Sequence, residues 1–264
     1  MHIIDANAGE MITADDRGLL YGDGVFETMR VNSGKLPLLD WHLARLHRST
    51  TALKITGLDM ASVAEKVFAF IARYPNADWL KVILTRGSGA RGYRPPEDAL
   101  PTMILSSGPL VERTGECHLL LSPIAAATMP GVPPLKHLSR LVEVQQAADL
   151  AAEEDSVQIV CDQHGALVCA TMHNLFVVRE GELMTPRLVN QGVAGVLRDW
   201  VFAHSTAKPQ RLHLEDALLA DEIFVCNAVR GVVSANSICG QWLPSSTPFA
   251  DALRADLVQA GFEQ

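Results

Sequence analysis

The sequence predicts a mixed α and β fold in two domains, and three observations carry that expectation. Short runs of β-forming residues, bounded by Gly, Pro, Asn and Asp, alternate with helical periodicity along the chain. A polar, strand-poor stretch from Gly108 to Glu116 interrupts this pattern. The length, 264 residues, suits one large domain or two compact ones. The expected division is an N-terminal α+β domain over 1–109, a linker over 110–116 and a C-terminal domain over 117–264.

In chain order, Val25 to Val31 reads as a strand, Asn32 to Lys35 as a turn and Leu36 to Leu39 as a returning arm, together a hairpin. Asp40 is placed to cap a helix with Leu43, Leu46 and Leu53 on its apolar face, and Asp59 to cap a second with Val63, Val67, Phe70 and Ile71. Lys81 to Thr85 and Thr102 to Ser106 are β-rich and joined by a Gly- and Pro-bearing segment. The first domain is therefore expected to be an antiparallel sheet with helices packed on it.

After the linker, Cys117 to Leu121 resumes β character, and the Pro-rich segment Met129 to Pro134 leads into a helical pattern from about Ser139 to Glu153. Val157 to Val160, Leu175 to Val178, Leu183 to Thr185 and Ile223 to Cys226 read as strands, and a helix follows Gly195.

The net charge of −8, with no run of Lys or Arg, argues against a nucleic-acid partner or a polybasic membrane contact. No apolar run approaches the length of a membrane span, and Met1 to Asp5 lacks the layout of a signal peptide, so the expected location is cytoplasmic. Five scattered cysteines without CxxC spacing and nine dispersed histidines without HExxH suggest neither disulfides nor a metal site.

Four segments carry chemistry. Lys136, in Leu135-Lys136-His137-Leu138-Ser139-Arg140-Leu141, closes a Pro-rich lead-in and opens an apolar helical pattern. Desolvation there would lower its pKa and free an amine to attack an aldehyde, although a snorkelling lysine is the simpler reading of that segment alone. Gly192 to Arg198 puts glycines where a helix begins, so the N–H groups of Val196 and Leu197 could face a phosphate; an ordinary Gly-rich turn fits equally well. Arg45 lies round from the apolar face of its helix, as a phosphate-pairing cation or a solvated residue would. Thr85 to Arg94 packs Arg86, Arg91, Arg94 and Tyr93 into a Gly-loosened loop suited to gripping carboxylates, or to plain exposure.

Together these segments resemble the fold-type IV pyridoxal 5′-phosphate (PLP) enzymes, which include branched-chain and D-amino-acid aminotransferases and aminodeoxychorismate lyases. Asp16-Arg17-Gly18, Tyr21-Gly22-Asp23-Gly24-Val25-Phe26-Glu27, His42 to Leu46, Asn174-Leu175-Phe176 and Gly192 to Arg198 follow the family's order and spacing. The resemblance implies a smaller N-terminal sheet domain, a larger C-terminal pseudo-barrel domain and PLP as cofactor. Phe26 to Arg30, Arg86 to Tyr93, Lys136 to Leu141 and Cys226-Asn227-Ala228 look most like the lyases, and aminotransferases usually differ where Thr28 stands.

By that resemblance Lys136 is the Schiff-base lysine and Arg45, Val196, Leu197, Asn227 and Ala228 surround the phosphate. Thr28 contacts the substrate near its reacting carbons. Arg91 and Tyr93, with Arg30, hold carboxylates, the first two from a neighbouring subunit, which implies a homodimer with shared active sites. One position departs: Cys169 stands where the family carries a glutamate beside the pyridine nitrogen. A neutral thiol weakens the cofactor as an electron sink, which hurts transamination more than elimination. The implied reaction is cleavage of 4-amino-4-deoxychorismate, a carboxylated amine, to 4-aminobenzoate and pyruvate on the way to folate. A D-amino-acid or branched-chain aminotransferase, or a relative that binds PLP without catalysis, are the alternatives.

Overall fold

The computed structural model describes residues 1–89, 91–111, 115–148 and 155–262. Two compact units emerge, Met1–Val111 with Leu135–Ser139, and Glu112–Pro134 with Arg140–Gln264.

In the first unit, β1 (His2–Asp5), α1 (Arg17–Tyr21), β2 (Gly24–Arg30), α2 (Leu39–Ala52), α3 (Met60–Arg73), β3 (Trp79–Thr85) and β4 (Thr102–Gly108) succeed one another. The sheet order is β1-β4-β3-β2, antiparallel except that β1 joins β4 in parallel. Val25, Met29, Leu80, Val82, Leu84, Met103 and Leu105 alternate onto one face and bury against Leu46, Val63, Val67, Phe70 and Ile71 of the helices. The Asp59 carboxylate accepts from the N–H groups of Ala61 and Ser62, capping α3 as its sequence predicts.

Two local expectations fail here. The turn at Asn32 to Lys35 forms, closed by one bridge between those residues, but no returning strand continues from it. Pro37 has no N–H for a ladder and Leu38 takes a left-handed φ of 61°, from which α2 starts at Leu39; β2 pairs with β3 instead. Leu38, not Asp40, is therefore the N-cap, and Asp40 lies in the first turn, where it still favours the helix dipole. The buried face of α2 is also more polar than its leucines suggest: His42, Arg45, Leu46, Ser49 and Thr50 point inward.

The second unit contains β5 (Glu116–Leu121), α4 (Leu141–Ala148), β6 (Ser156–Cys161), β7 (Leu167–Ala170), β8 (Asn174–Arg179), β9 (Glu182–Pro186), α5 (Val196–His204), β10 (Lys208–Gln210), α6 (Leu214–Leu218), β11 (Glu222–Asn227), β12 (Gly231–Ile238), β13 (Gln241–Trp242) and α7 (Pro248–Gln259). Its nine-stranded sheet runs β10-β9-β8-β11-β12-β5-β6-β7, with β13 beside β12. The sheet curls so that β7, at its far edge, packs back against β8, giving the expected pseudo-barrel. Leu119, Ile159, Leu175, Val177, Ile223, Val225 and Val233 fill it.

Strand character extends into both ends of the predicted linker region: Gly108 closes β4 and Glu116 opens β5, while residues 112–114 lie outside the described residues. The helix expected from about Ser139 to Glu153 begins two residues later, at Leu141, and runs to Ala148; residues 149–153 lie outside the described residues. Among the described residues no helix is long and apolar enough to cross a membrane.

Candidate active site

Lys136 does not open a helix. Leu135–Ser139 runs as an extended edge beside β2: Phe26 N–H donates to the Lys136 carbonyl at 3.0 Å, Leu138 N–H to the Gly24 carbonyl at 3.0 Å, and Val25 bridges His137. Although this segment falls within the expected C-terminal domain, its backbone hydrogen bonds attach it to the first unit. Gly22 and Gly24 make the approach possible, since a Cβ on Gly22 would sit 2.4 Å from Ser139 Oγ and one on Gly24 2.8 Å from Leu138 Cδ1.

Strand alternation gives β2 two faces. Phe26, Thr28 and Arg30 lie half-buried on one. The Lys136 ammonium lies 4.3 Å from the centre of the Phe26 ring, an attraction between cation and ring quadrupole that fixes the amine beside this face. Lys81 lies over the same ring at 5.1 Å and is the cross-strand partner of Thr28. Sequence reasoning passed over Lys81 as a strand residue; its signal was a lone charge within the apolar run Leu80 to Leu84.

The other face of β2 carries Glu27, buried against α2. His42 Nδ1–H donates to Glu27 Oε2 at 2.7 Å, Arg45 Nε–H to Oε1 at 2.8 Å, and Arg45 Nη2–H closes the pair on Oε2. Burial alone would push the Glu27 carboxyl up, but the Arg45 charge and these hydrogen bonds outweigh it and hold the group at about 2. Burial pushes His42 down against the pull of Glu27, so the ring is neutral with its proton on Nδ1. Arg45 is thus neither solvated nor beside Thr28: it stands behind the strand, buried, with its guanidinium paired to Glu27.

Arg91 and Tyr93 project from an exposed loop, Tyr93 being 86 % accessible. Arg30, by contrast, is half-buried, and its Nε–H donates to Asn32 Oδ1 at 3.0 Å.

In the second unit Asn174, the first residue of β8, gathers the predicted phosphate residues. Its Nδ2–H donates to the Val193 carbonyl at 2.9 Å, and it pairs across the ladder with Cys226, next to Asn227. A Cβ on Gly195 would stand 2.0 Å from Asn174 Oδ1, so only glycine lets the start of α5 come this close. Gly195 caps α5 without a side chain, leaving the first N–H groups, Val196 and Leu197 among them, without an intrahelical acceptor. Asn227 Oδ1 accepts from Val229 and Arg230 N–H and shapes the turn that carries Ala228. Cys169 lies half-buried in β7 opposite Val160, and burial, with Glu143 adding to it, pushes its thiol up to about 12. It is a neutral S–H at any ordinary pH.

Lys136 therefore lies over Phe26 on the face of β2 that also carries Thr28 and Arg30, Val196 and Leu197 open α5 just after Gly195 beside Asn174, Asn227 and Ala228 follow the ladder partner of Asn174, and Arg91 and Tyr93 stand on a surface loop. Among the described residues no group of three His, Cys, Asp or Glu side chains could hold a metal ion.

A half-barrel sheet with a helix N-terminus beside its strand ends, together with a smaller sheet unit that presents a lysine, defines the fold-type IV class of enzymes. The family model of amino-transferase class IV matches residues 24–238, and the chain belongs to this PLP-dependent family. A 4-amino-4-deoxychorismate lyase from Pseudomonas aeruginosa superposes with a TM-score of 0.89 at 32 % identity over 96 % of both chains. An aminodeoxychorismate lyase from Vibrio harveyi is 28 % identical over 84 % of this chain and 86 % of its own. A D-alanine aminotransferase from Bacillus licheniformis is 25 % identical over 90 % of this chain and 86 % of its own.

Proposed function

We propose that the protein cleaves 4-amino-4-deoxychorismate to 4-aminobenzoate and pyruvate. The observation that carries this reading is the 32 % identity, over 96 % of the chain, to a 4-amino-4-deoxychorismate lyase. Each unit, taken by itself, offers chemistry suited to one end of PLP. Lys136 supplies the amine, and the uncapped start of α5, where a Cβ on Gly195 would collide with Asn174, supplies backbone donors for a phosphate. At the pyridine nitrogen the neutral Cys169 thiol offers no carboxylate.

When bound, PLP supplies an aldehyde that condenses with a primary amine and a conjugated ring that draws electrons from the amine-bearing carbon. Lys136 would hold that aldehyde, and its amine, when not so engaged, would take the proton from the amine-bearing carbon of the substrate. The carbon–oxygen bond to the neighbouring carbon breaks, the enolpyruvyl group leaves with the electron pair and becomes pyruvate on protonation, and the ring becomes aromatic. Aromatisation lowers the demand on the electron sink, which is compatible with Cys169. Thr28 positions the leaving group, with Lys81 beside it as a cation for a carboxylate. Arg30, Arg91 and Tyr93 bind carboxylates, the last two across a homodimer. Val196, Leu197, Asn227 and Ala228 serve the phosphate, with Arg45 as its cation.

Purified holoprotein given freshly generated 4-amino-4-deoxychorismate should form 4-aminobenzoate and pyruvate in equal amounts. Absence of 4-aminobenzoate, with pyruvate and glutamate appearing from D-alanine and 2-oxoglutarate, would replace this reading with aminotransferase activity. That second reading is favoured by the 25 % identity to a D-alanine aminotransferase.

A further inference from the structure

Arg17 is 3 % exposed, yet none of the chemistry above uses it. Its guanidinium offers donors in a rigid planar fork. Nε–H donates to Asp23 Oδ2, Nη1–H to the Gly92 carbonyl and Nη2–H to the Tyr93 carbonyl, each at 2.9 Å. The same group lies 4.9 Å over the Tyr21 ring, whose hydroxyl accepts from Gly92 N–H at 3.2 Å and whose edge meets the Tyr93 ring at 5.5 Å. The approach to the loop is tied as well: Arg17 N–H donates to the Gly87 carbonyl at 2.9 Å, and Asp16 bridges Ser88. A Cβ on Gly89 would lie 3.0 Å from Arg17 Cδ, so glycine there lets the side chain pass.

Asp23 is shared. Arg86 donates to it from Nε at 2.8 Å and Nη2 at 3.0 Å, and also to the carbonyls of Leu53 and Lys54 at 2.7 Å each. Two buried guanidinium groups thus meet one carboxylate, and backbone carbonyls accept the N–H donors it leaves over. A buried guanidinium is costly unless its remaining donors are accepted, so Arg17 depends on the carbonyls of Gly92 and Tyr93 and holds that backbone against α1.

We propose that Arg17 is the positioning residue of the carboxylate-binding loop: by gripping the carbonyls of Gly92 and Tyr93 it sets the direction in which the Arg91 and Tyr93 side chains project. It touches neither substrate nor cofactor. The assignment rests on the reading of Arg91 and Tyr93 as carboxylate ligands.

R17K keeps a positive charge for Asp23 but cannot fork two carbonyls, and R91Q reports on the carboxylate contact itself. Both are compared with wild type as PLP-loaded protein, by steady-state kinetics with 4-amino-4-deoxychorismate and by hydrogen exchange over residues 87–95. For R17K the expected result is a KM raised about tenfold with kcat within about threefold. PLP absorbance stays unchanged, and exchange quickens in 87–95 while β2 and β3 stay protected. Unchanged loop exchange overturns the assignment, as does a quickened loop with KM unmoved while R91Q raises it. Lost protection throughout β2 and β3 also overturns it, because Arg17 would then serve the stability of the unit. If R91Q itself leaves KM unmoved, or wild type shows no turnover, the carboxylate or lyase reading has failed first and the role of Arg17 in binding falls with it.

Discussion

Replacing Glu27 with glutamine removes the charge that Arg45 is buried against and keeps the shape of the side chain. The amide oxygen can still accept one hydrogen bond, but the amide nitrogen must face a guanidinium N–H. Breaking a buried ion pair from one side costs about 3–5 kcal/mol. The titration of Glu27 gives the same scale: its fall from the usual 4.5 to about 2 corresponds to on the order of 3 kcal/mol. At roughly 2–4 °C per kcal/mol for a chain of this size, E27Q should lower Tm by about 10 °C near neutral pH. Both Glu27 and His42 titrate lower in the folded state, so both stabilise toward higher pH. The His42 contribution fails as pH drops below its unfolded value. The Glu27 contribution holds above 4.5 and is lost as pH falls toward about 2, so the gap between wild type and E27Q should close only in that window. Thermal melts monitored by circular dichroism from pH 8 to pH 3 measure it, and the double variant E27Q/R45M, which removes both charges, should recover part of the loss. A fall of less than about 2 °C at pH 7 would refute the coupling described for this cluster.

Two further substitutions test the second unit. In G195A the new methyl would lie 2.0 Å from Asn174 Oδ1, so Asn174 must give up its bond to the Val193 carbonyl; PLP titration should show a dissociation constant raised about tenfold or more, and unchanged affinity would remove α5 from the phosphate site. C169E restores the family's carboxylate, and half-transamination of bound PLP by D-alanine, read by absorbance, should quicken about tenfold while lyase turnover stays within about threefold. No gain in the D-alanine reaction would mean that position 169 does not address the ring nitrogen.

Elements whose cause is local were legible in the sequence. Helix α3 announces itself through Asp59 and the spacing of Val63, Val67, Phe70 and Ile71, and β3 through its apolar run. Elements that depend on distant partners were not. Strand β1 is four residues whose only reason to be extended is a parallel neighbour about a hundred residues on, and β12 is held by β11 and β5 on either side. The hairpin expectation failed because Asn32 to Lys35 makes the right turn but does not determine the path of the chain beyond Lys35. From its own segment Arg45 could be a phosphate partner or a solvated residue, because its burial is caused by Glu27, eighteen residues earlier on another element. Lys136 stood out as a chemical oddity and family order makes it the expected Schiff-base lysine, but its place beside Phe26 comes from backbone hydrogen bonds that no periodicity encodes.

The central claim is that Lys136 carries the cofactor. Holoprotein reduced with borohydride, digested and analysed by mass spectrometry should show phosphopyridoxyl on the peptide containing Lys136, and K136A should show none. A label on Lys81, the other amine over the Phe26 ring, or no label at all, would contradict it.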